Sequence, residues 1–413
     1  MSVIHINDLD LTGGRFNGYK LQIALNRADF PACQFVFVKE DSDEPNTICF
    51  TPTPQDHMFR ECCRQFEESL SIHSVIYPFG KKIMQHERFL CADIVHCHLI
   101  HNYFMSLYDL EAMSKIKHLV WTFHDPWVFS GHCVHSFGCE KWKIGCGDCP
   151  DLDINFRMQK DNTRLMWNIK KEVLSKMEFD IVVASEYMLR MVKESPITRE
   201  NPNVHLIPFG IDLELFTQKR NREDIRKELN IPLDNFVLFF RADDSRFKGL
   251  DVITKMLDIL KPSKPVTLLT VGQDGLLQKY KSKYNIIQNG WVNDSELMAK
   301  LYCACDVFLM PSWAEAFGLM AIEAMASSRP IIVMEGTALP DVTFAPECGI
   351  CIKKGSAMEM KDVLGRLMQN SDECQARGEK GREFAEKHYR FEDYVNKHIK
   401  LYEEILVRSQ KRQ

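Results

Sequence analysis

Two doubly wound α/β domains in tandem are predicted by three observations in the 413-residue sequence. Short apolar runs alternate with longer amphipathic stretches through the first half, the pattern of a mainly parallel sheet with helices on both faces. A second alternating series begins after Pro208-Phe-Gly-Ile-Asp-Leu-Glu, where a strand ends and a charged helix follows. The length also exceeds one ordinary core of ~100–200 residues.

The first series opens with a strand at Val3-Ile-His-Ile, a glycine loop (Gly13-Gly14-Arg15-Phe16-Asn17-Gly18) and a helix from Tyr19. Strands are expected at 34–38, 93–97, 118–123, 180–184 and 204–207. The polar, Cys-rich stretch 124–155 is a long insertion after one strand, and loops of that length are functional or locally stapled. The second series places strands at 236–240, 266–271, 286–288, 306–310 and 330–334, with helices at 250–260, 276–284, 295–303 and 319–327. Val395, Ile399, Tyr402 and Leu406 recur at helical spacing and predict a terminal helix with one apolar face. The expected boundaries are 1–212, 213–390 and a C-terminal helix over 391–413. Ligands of doubly wound sheets bind beyond the C-terminal strand ends, so the chemistry is sought in the loops after strands.

Composition narrows the function. Hydrophobic residues make up 45% and charged residues 26%, which excludes a disordered or collagen-like chain. Lys+Arg number 52 against 57 Asp+Glu, so no broad cationic field points to nucleic acid. The apolar run from Val307 to Met325 is broken by Pro311, Glu315 and Glu323, and no membrane span is expected. The N-terminus lacks the basic and apolar regions of a secretory signal, so the expected location is the cytosol. Fifteen cysteines, an odd number, suit thiols or metal ligands better than a disulfide framework in that compartment.

Pro311-Ser-Trp-Ala-Glu315-Ala-Phe317-Gly318-Leu319-Met-Ala-Ile-Glu323 is the sharpest motif. A buried strand delivers the chain to a loop, and a helix starts near Gly318. The N–H groups of Phe317, Gly318 and Leu319 then lie at the positive helix end and suit an anion such as a diphosphate. Carboxylates on either side, Glu315 and Glu323, can accept hydrogen bonds from sugar hydroxyls. Arg241 and Lys248-Gly249 follow another strand, and two cations at a sheet edge suit phosphate. Cys133-x5-Cys139-x6-Cys146-x2-Cys149 has the ligand types of a closed structural zinc site, with His132 and His135 as substitute ligands. Asp8-x-Asp10 and Asp151-x-Asp153 sit apart from the other motifs and are not assigned a metal. No P-loop is present, and the Gly13 loop is not a dinucleotide fingerprint.

The Glu315/Glu323 pair, the Arg241…Lys248-Gly249 loop, the Ile207–Asp212 linker and the N-terminal Gly-Gly loop resemble glycosyltransferase family 4. That resemblance implies the GT-B fold, two Rossmann-like domains facing across a cleft, and a retaining transfer from a nucleotide-diphosphate sugar. By this resemblance Arg241 and Lys248 bind the donor diphosphate, Glu323 the ribose, and Glu315 with the Phe317–Leu319 amides the sugar and its phosphate. Gly13 and Gly14 bring the first domain close to the donor, and His124 lies near the sugar. The terminal helix would cross back onto the first domain. No catalytic divalent metal is expected, because the cations are built in. The acceptor would be a glycan or lipid-linked glycan, in bacterial surface polysaccharide assembly at the inner face of the membrane. Arg15-Phe16-Asn17 and Ser328-Arg329-Pro330 depart from the family's pattern. An epimerase or hydrolase on this fold, with Asp125 beside His124, and a non-catalytic zinc-stapled interaction protein are the competing readings.

Overall fold

The computed structural model describes residues 1–40 and 43–410. The chain forms two compact units, one of Met1–Ile207 with the C-terminal segment from Val395, the other of Pro208–Tyr394. This is the two-lobed Rossmann-like architecture of the GT-B class.

The first unit is built on seven parallel strands: β1 (Val3–Leu9), β2 (Ala32–Val38), β3 (Thr47–Cys49), β4 (Ile94–Cys97), β5 (His118–Thr122), β6 (Phe179–Val183) and β7 (Val204–Leu206). Their order is β3-β2-β1-β4-β5-β6-β7. β1 lies between β2 and β4, with Val3 opposite both Ala32 and Ile94. Buried residues run without alternation along β2, β4 and β6, because helices cover both sheet faces. The strand order reverses between β1 and β4, so the loops leaving these two strands flank the ligand-binding crevice of this sheet type.

The second unit holds β8 (Phe236–Ala242), β9 (Val266–Gly272), β10 (Asn285–Gln288), β11 (Val307–Met310), β12 (Ile331–Met334) and β13 (Ile350–Ile352), in the order β10-β9-β8-β11-β12-β13. Phe240, Leu268, Leu309 and Ile332 form one core with Val252, Met256 and Leu364 from the covering helices. Here the order reverses between β8 and β11. The expected helix over 276–284 is only a 3-10 turn at Gln278–Tyr280. The hydroxyls of Tyr280 and Tyr284 donate to the carbonyls of Thr254 and Leu257, and this docking overrides the apolar periodicity. Edge strand β3 and the helices Ala357–Gln369 and Ser371–His388 were not expected from the sequence. No helix of the described residues is long and apolar enough to cross a membrane.

The terminal helix spans Phe391–Gln410. Tyr394, Val395, His398, Leu401, Tyr402 and Ile405 are its buried positions, while Ile399 and Leu406 are only partly covered. Its C-terminal half belongs to the first unit: Arg408 donates to Asp180 and Asn203, both at 2.6 Å, and the Tyr402 ring lies 5.6 Å from Phe30. The basic residues Lys411 and Arg412 lie outside the described residues.

A seam of histidines runs through the sheet of the first unit. His5 on β1 and His96 on β4 are buried, with His98, His124 and His398 beside them. His5 Nδ1 is 3.0 Å from His98 Nε2, and His98 Nδ1 is 3.1 Å from His124 Nε2. His96 spans Tyr402 and Thr122, with 2.7 Å from its Nδ1 and Nε2 to the two hydroxyls. Burial is the main reason that His5 and His124 are pulled down to about 3, and that His96 and His98 lie well below the ordinary range. The seam is therefore a chain of neutral imidazoles at physiological pH, and each hydrogen bond along it constrains the tautomer of the next ring.

Two predictions follow from the seam. Above about pH 6.5 neither state binds these protons; below it the unfolded chain does and the folded one does not, so stability falls with pH down to about 3. At about pH 5 the loss is roughly 2 kcal/mol for each imidazole held near 3, and urea midpoints at pH ~7.5 and ~5 measure it. An unchanged midpoint would contradict the burial of the seam. Tyr402→Phe should cost about 1–3 kcal/mol in the same assay by leaving a buried His96 nitrogen unpaired.

Candidate functional site

In the second unit the site is organised by the two loops that leave β8 and β11. Gly249, at φ +72°, caps the helix Leu250–Ile259, and a Cβ built on it would sit 1.9 Å from the Pro311 carbonyl oxygen. Only glycine permits that approach. The loops are further joined by the Phe247 carbonyl, which accepts from Trp313 N–H at 2.8 Å, and by Trp313 Nε1, which donates to Asp251 at 2.8 Å. This stitching brings Lys248 Nζ to 3.1 Å from Glu315 Oε2, 67 residues away in sequence.

Gly318, at φ +105°, caps the helix Leu319–Ala326, and a side chain there would strike Leu339. First-turn N–H groups have no helical acceptor, and none of the described bonds uses those of Phe317, Gly318 or Leu319. Arg241, one residue from the end of β8, is paired with Asp243 at 2.6 Å. Burial opposes ionisation of Asp243, but Ser245 and Arg241 outweigh it and hold the carboxyl below its usual range. The Arg241 guanidinium also lies 4.6 Å from the centroid of Trp291, whose side chain is 65% exposed. Trp291 was missed from the sequence; its only signal was an exposed aromatic in the Gly290-Trp291-Val292 loop after β10.

Glu323 is the deepest of the predicted site residues. It is fully buried within the helix, and its carboxylate accepts from the Tyr302 hydroxyl at 3.0 Å. Residues 321–326 are all buried, so the helix packs on its neighbours around most of its circumference and turns this carboxylate inward. Arg241, Lys248, Glu315 and the Phe317–Leu319 amides belong to the same pair of strand ends, and Glu323 to the helix that follows one of them.

The first unit presents its own loops at its reversal point. Gly13 and Gly14 lie in a turn held by Asn17, whose buried amide donates to the carbonyls of Leu9, Asp10 and Thr12 at 2.7, 2.9 and 3.1 Å. Asn17 is thus a brace inside the loop and does not obstruct its mouth. Phe16 reaches from this loop to His124, with ring centroids 5.4 Å apart. His124 follows β5, is partly exposed, and is held through His98 as described above. Asp125, the acid or base of the epimerase reading, is committed elsewhere. It caps the 3-10 turn Pro126–Phe129 through Trp127 N–H at 2.9 Å and pairs with His101 at 3.1 Å. Burial raises its pKa, but the His101 interactions prevail and hold it below the ordinary value.

Among the described residues, His5, His96 and His98 are the one group of His, Cys, Asp or Glu whose ligand atoms fall within 4.8 Å of one another. Five of their six nitrogens are taken up by one another, by His124 and by the Tyr402 and Thr122 hydroxyls, while the buried Nε2 of His5 has no hydrogen-bond partner among the described residues. Cys133, Cys139, Cys146 and Cys149 line one small cavity in the loop after β5.

Comparison with known proteins links this architecture to sugar transfer. Residues 221–384 match the family model described as "Glycosyl transferases group 1". The chain is 27% identical over 213 residues to the MMP alpha-(1->4)-mannosyltransferase of Mycolicibacterium hassiacum, covering 50% of this chain and 49% of that one. The match therefore spans about half of that relative's length. Among solved structures, sucrose-phosphate synthase from Thermosynechococcus elongatus superposes with TM-score 0.70 at 20% identity, covering 98% of this chain and 99% of the other. WaaG, a glycosyltransferase involved in lipopolysaccharide biosynthesis, gives TM-score 0.67 at 15% identity, covering 96% and 98%. The fold is that of GT-B glycosyltransferases, and the unit carrying Arg241, Lys248 and Glu315 is the one that matches the glycosyl transferases group 1 model.

Proposed function

We propose that this protein is a retaining glycosyltransferase that moves a sugar from a nucleoside-diphosphate sugar to a hydroxyl of a glycan or lipid-linked glycan. The observation that carries the reading is the stitched pair of loops in the second unit. Lys248, Arg241 and a glycine-capped helix start all stand at the strand-order reversal, where phosphates bind in doubly wound sheets.

The chemistry follows from charge. Breaking the bond between the anomeric carbon and the diphosphate leaves negative charge on the departing phosphate. Lys248, Arg241 and the Phe317–Leu319 amides stabilise that charge as fixed donors. Glu315 holds Lys248 in place through one N–H, leaving its other two donors for phosphate oxygens, and its free carboxylate oxygen accepts from a sugar hydroxyl. The acceptor hydroxyl attacks from the face the diphosphate leaves, and the leaving phosphate takes its proton. No protein nucleophile is needed. His124, neutral at working pH, contributes a hydrogen bond to the sugar; Gly13 and Gly14 give the substrate room beside the first unit. Trp291 offers an aromatic face beside Arg241 for the nucleobase. Similarity to WaaG, a glycosyltransferase involved in lipopolysaccharide biosynthesis, supports an acceptor in bacterial surface polysaccharide assembly.

Incubation with a panel of UDP- and GDP-sugars tests the reading: a nucleoside diphosphate should be released, and transfer should give a product of unchanged anomeric configuration by NMR. Hydrolysis or epimerisation without transfer would favour the competing enzymes. Arg241→Ala and Lys248→Ala should each lower turnover by roughly 10²–10³. Wild-type turnover in both would refute the diphosphate assignment. Activity should also survive brief EDTA treatment, since the cations that bind the donor are side chains.

A further inference from the structure

The segment from Gly131 to Phe156 is held by little regular structure: it contains one 3-10 turn, at Lys141–Lys143. Its backbone is nonetheless tightly folded. Phe137, Cys146 and Asp148 adopt left-handed φ of 49°, 54° and 46°. Such conformations in non-glycine residues persist only where the surroundings over-determine them. The side chains around this turn converge. Cys133, Cys139, Cys146 and Cys149 line a single cavity of about 30 Å³, room for one water-sized body, with His132 at its wall.

We propose that this loop binds one zinc ion through the thiolates of Cys133, Cys139, Cys146 and Cys149. The donor set is the soft, four-sulfur type of closed structural sites, with Cys146-Gly-Asp-Cys149 as its paired half. The Gly131 N–H already donates to Cys146 Sγ at 3.2 Å, a bond that supports thiolate character. Lys170 supplies the second, independent observation. It is fully buried, donates to the carbonyls of Trp127 and Ser130 at 2.6 and 2.8 Å, and makes no carboxylate ion pair among the described residues. Its Nζ lies 3.6 Å from the centroid of the Trp127 ring, and Zn²⁺ with four thiolates, of net charge −2, would add to that stabilisation of the buried ammonium. Binding releases four thiol protons to solvent and fills all four positions, so no catalytic position stays open. No three of the sulfurs lie within 4.8 Å of one another, and χ1 rotation draws them in to Zn–S bonds of about 2.3 Å. His132 is a fifth donor at the rim. Its Nδ1 bonds the Phe156 carbonyl at 3.1 Å and its Nε2 stands 3.4 Å from Cys149 Sγ. The inference is independent of the sugar-transfer reading.

Elemental analysis of the full chain purified without added metal should find about one zinc per molecule. The C146S/C149S double variant should lose at least nine-tenths of it, and His132→Ala should keep it. Absence of zinc, iron in its place, or zinc retained in the double variant would overturn the site. Loss of zinc in His132→Ala would overturn the four-thiolate set. Because a cysteine variant can misfold, wild-type protein reconstituted with Co²⁺ provides a second reading. Intense thiolate-to-cobalt charge transfer with tetrahedral d–d bands is expected, and its absence contradicts the proposal.

Discussion

The approach of Gly249 to the Pro311 carbonyl is the constraint from which the second unit's site follows. β8 and β11 are neighbours because the strand order reverses there, but adjacency alone leaves their outgoing loops free to diverge. A missing side chain at Gly249 lets one loop lie directly on the other, and the Phe247 and Trp313 bonds lock them. Lys248 and Glu315 meet as a consequence. The pair is only partly exposed, so its attraction is screened less than that of a surface ion pair. It also spends part of the lysine's charge before any ligand arrives. Under the proposed function, a diphosphate with more than one negative charge is the ligand that engages Lys248, Arg241 and the helix start.

The first unit solves a different problem. Its reversal point is lined by histidines that burial keeps neutral, so they present polar atoms without charge. The chain from His5 through His98 to His124 carries the constraint of the interior out to a partly exposed ring. The terminal helix completes it, because the Tyr402 hydroxyl occupies one nitrogen of His96. The loops at the two reversal points differ in kind: cationic side chains in the second unit, neutral imidazoles in the first.

Much of this was legible in the sequence, for local reasons. Arg241, Lys248, Glu315 and Gly318 sit in loops directly after strands, where apolar runs and glycines announce the geometry. The inward turn of Glu323 was not legible, since it depends on how a helix buried around most of its girth is rotated against Tyr302. Trp291 follows β10, two strands away from β8, and meets Arg241 only once the strand order is known. The helix expected over 276–284 failed because the Tyr280 and Tyr284 hydroxyls found carbonyl acceptors on the helix Leu250–Ile259. The histidine seam was invisible because its members are spread from residue 5 to residue 398, and apart from His96 and His98 only parallel strand pairing and the terminal helix bring them together.

Hydrogen exchange on the wild-type protein, with and without a nucleoside diphosphate, tests the central claim most directly. If the stitched loops form the phosphate site, amides in 245–249 and in 313–320 should gain protection together, with those of Phe317, Gly318 and Leu319 most affected. Protection confined to one loop, or appearing elsewhere while both loops exchange as in the free protein, would contradict the account.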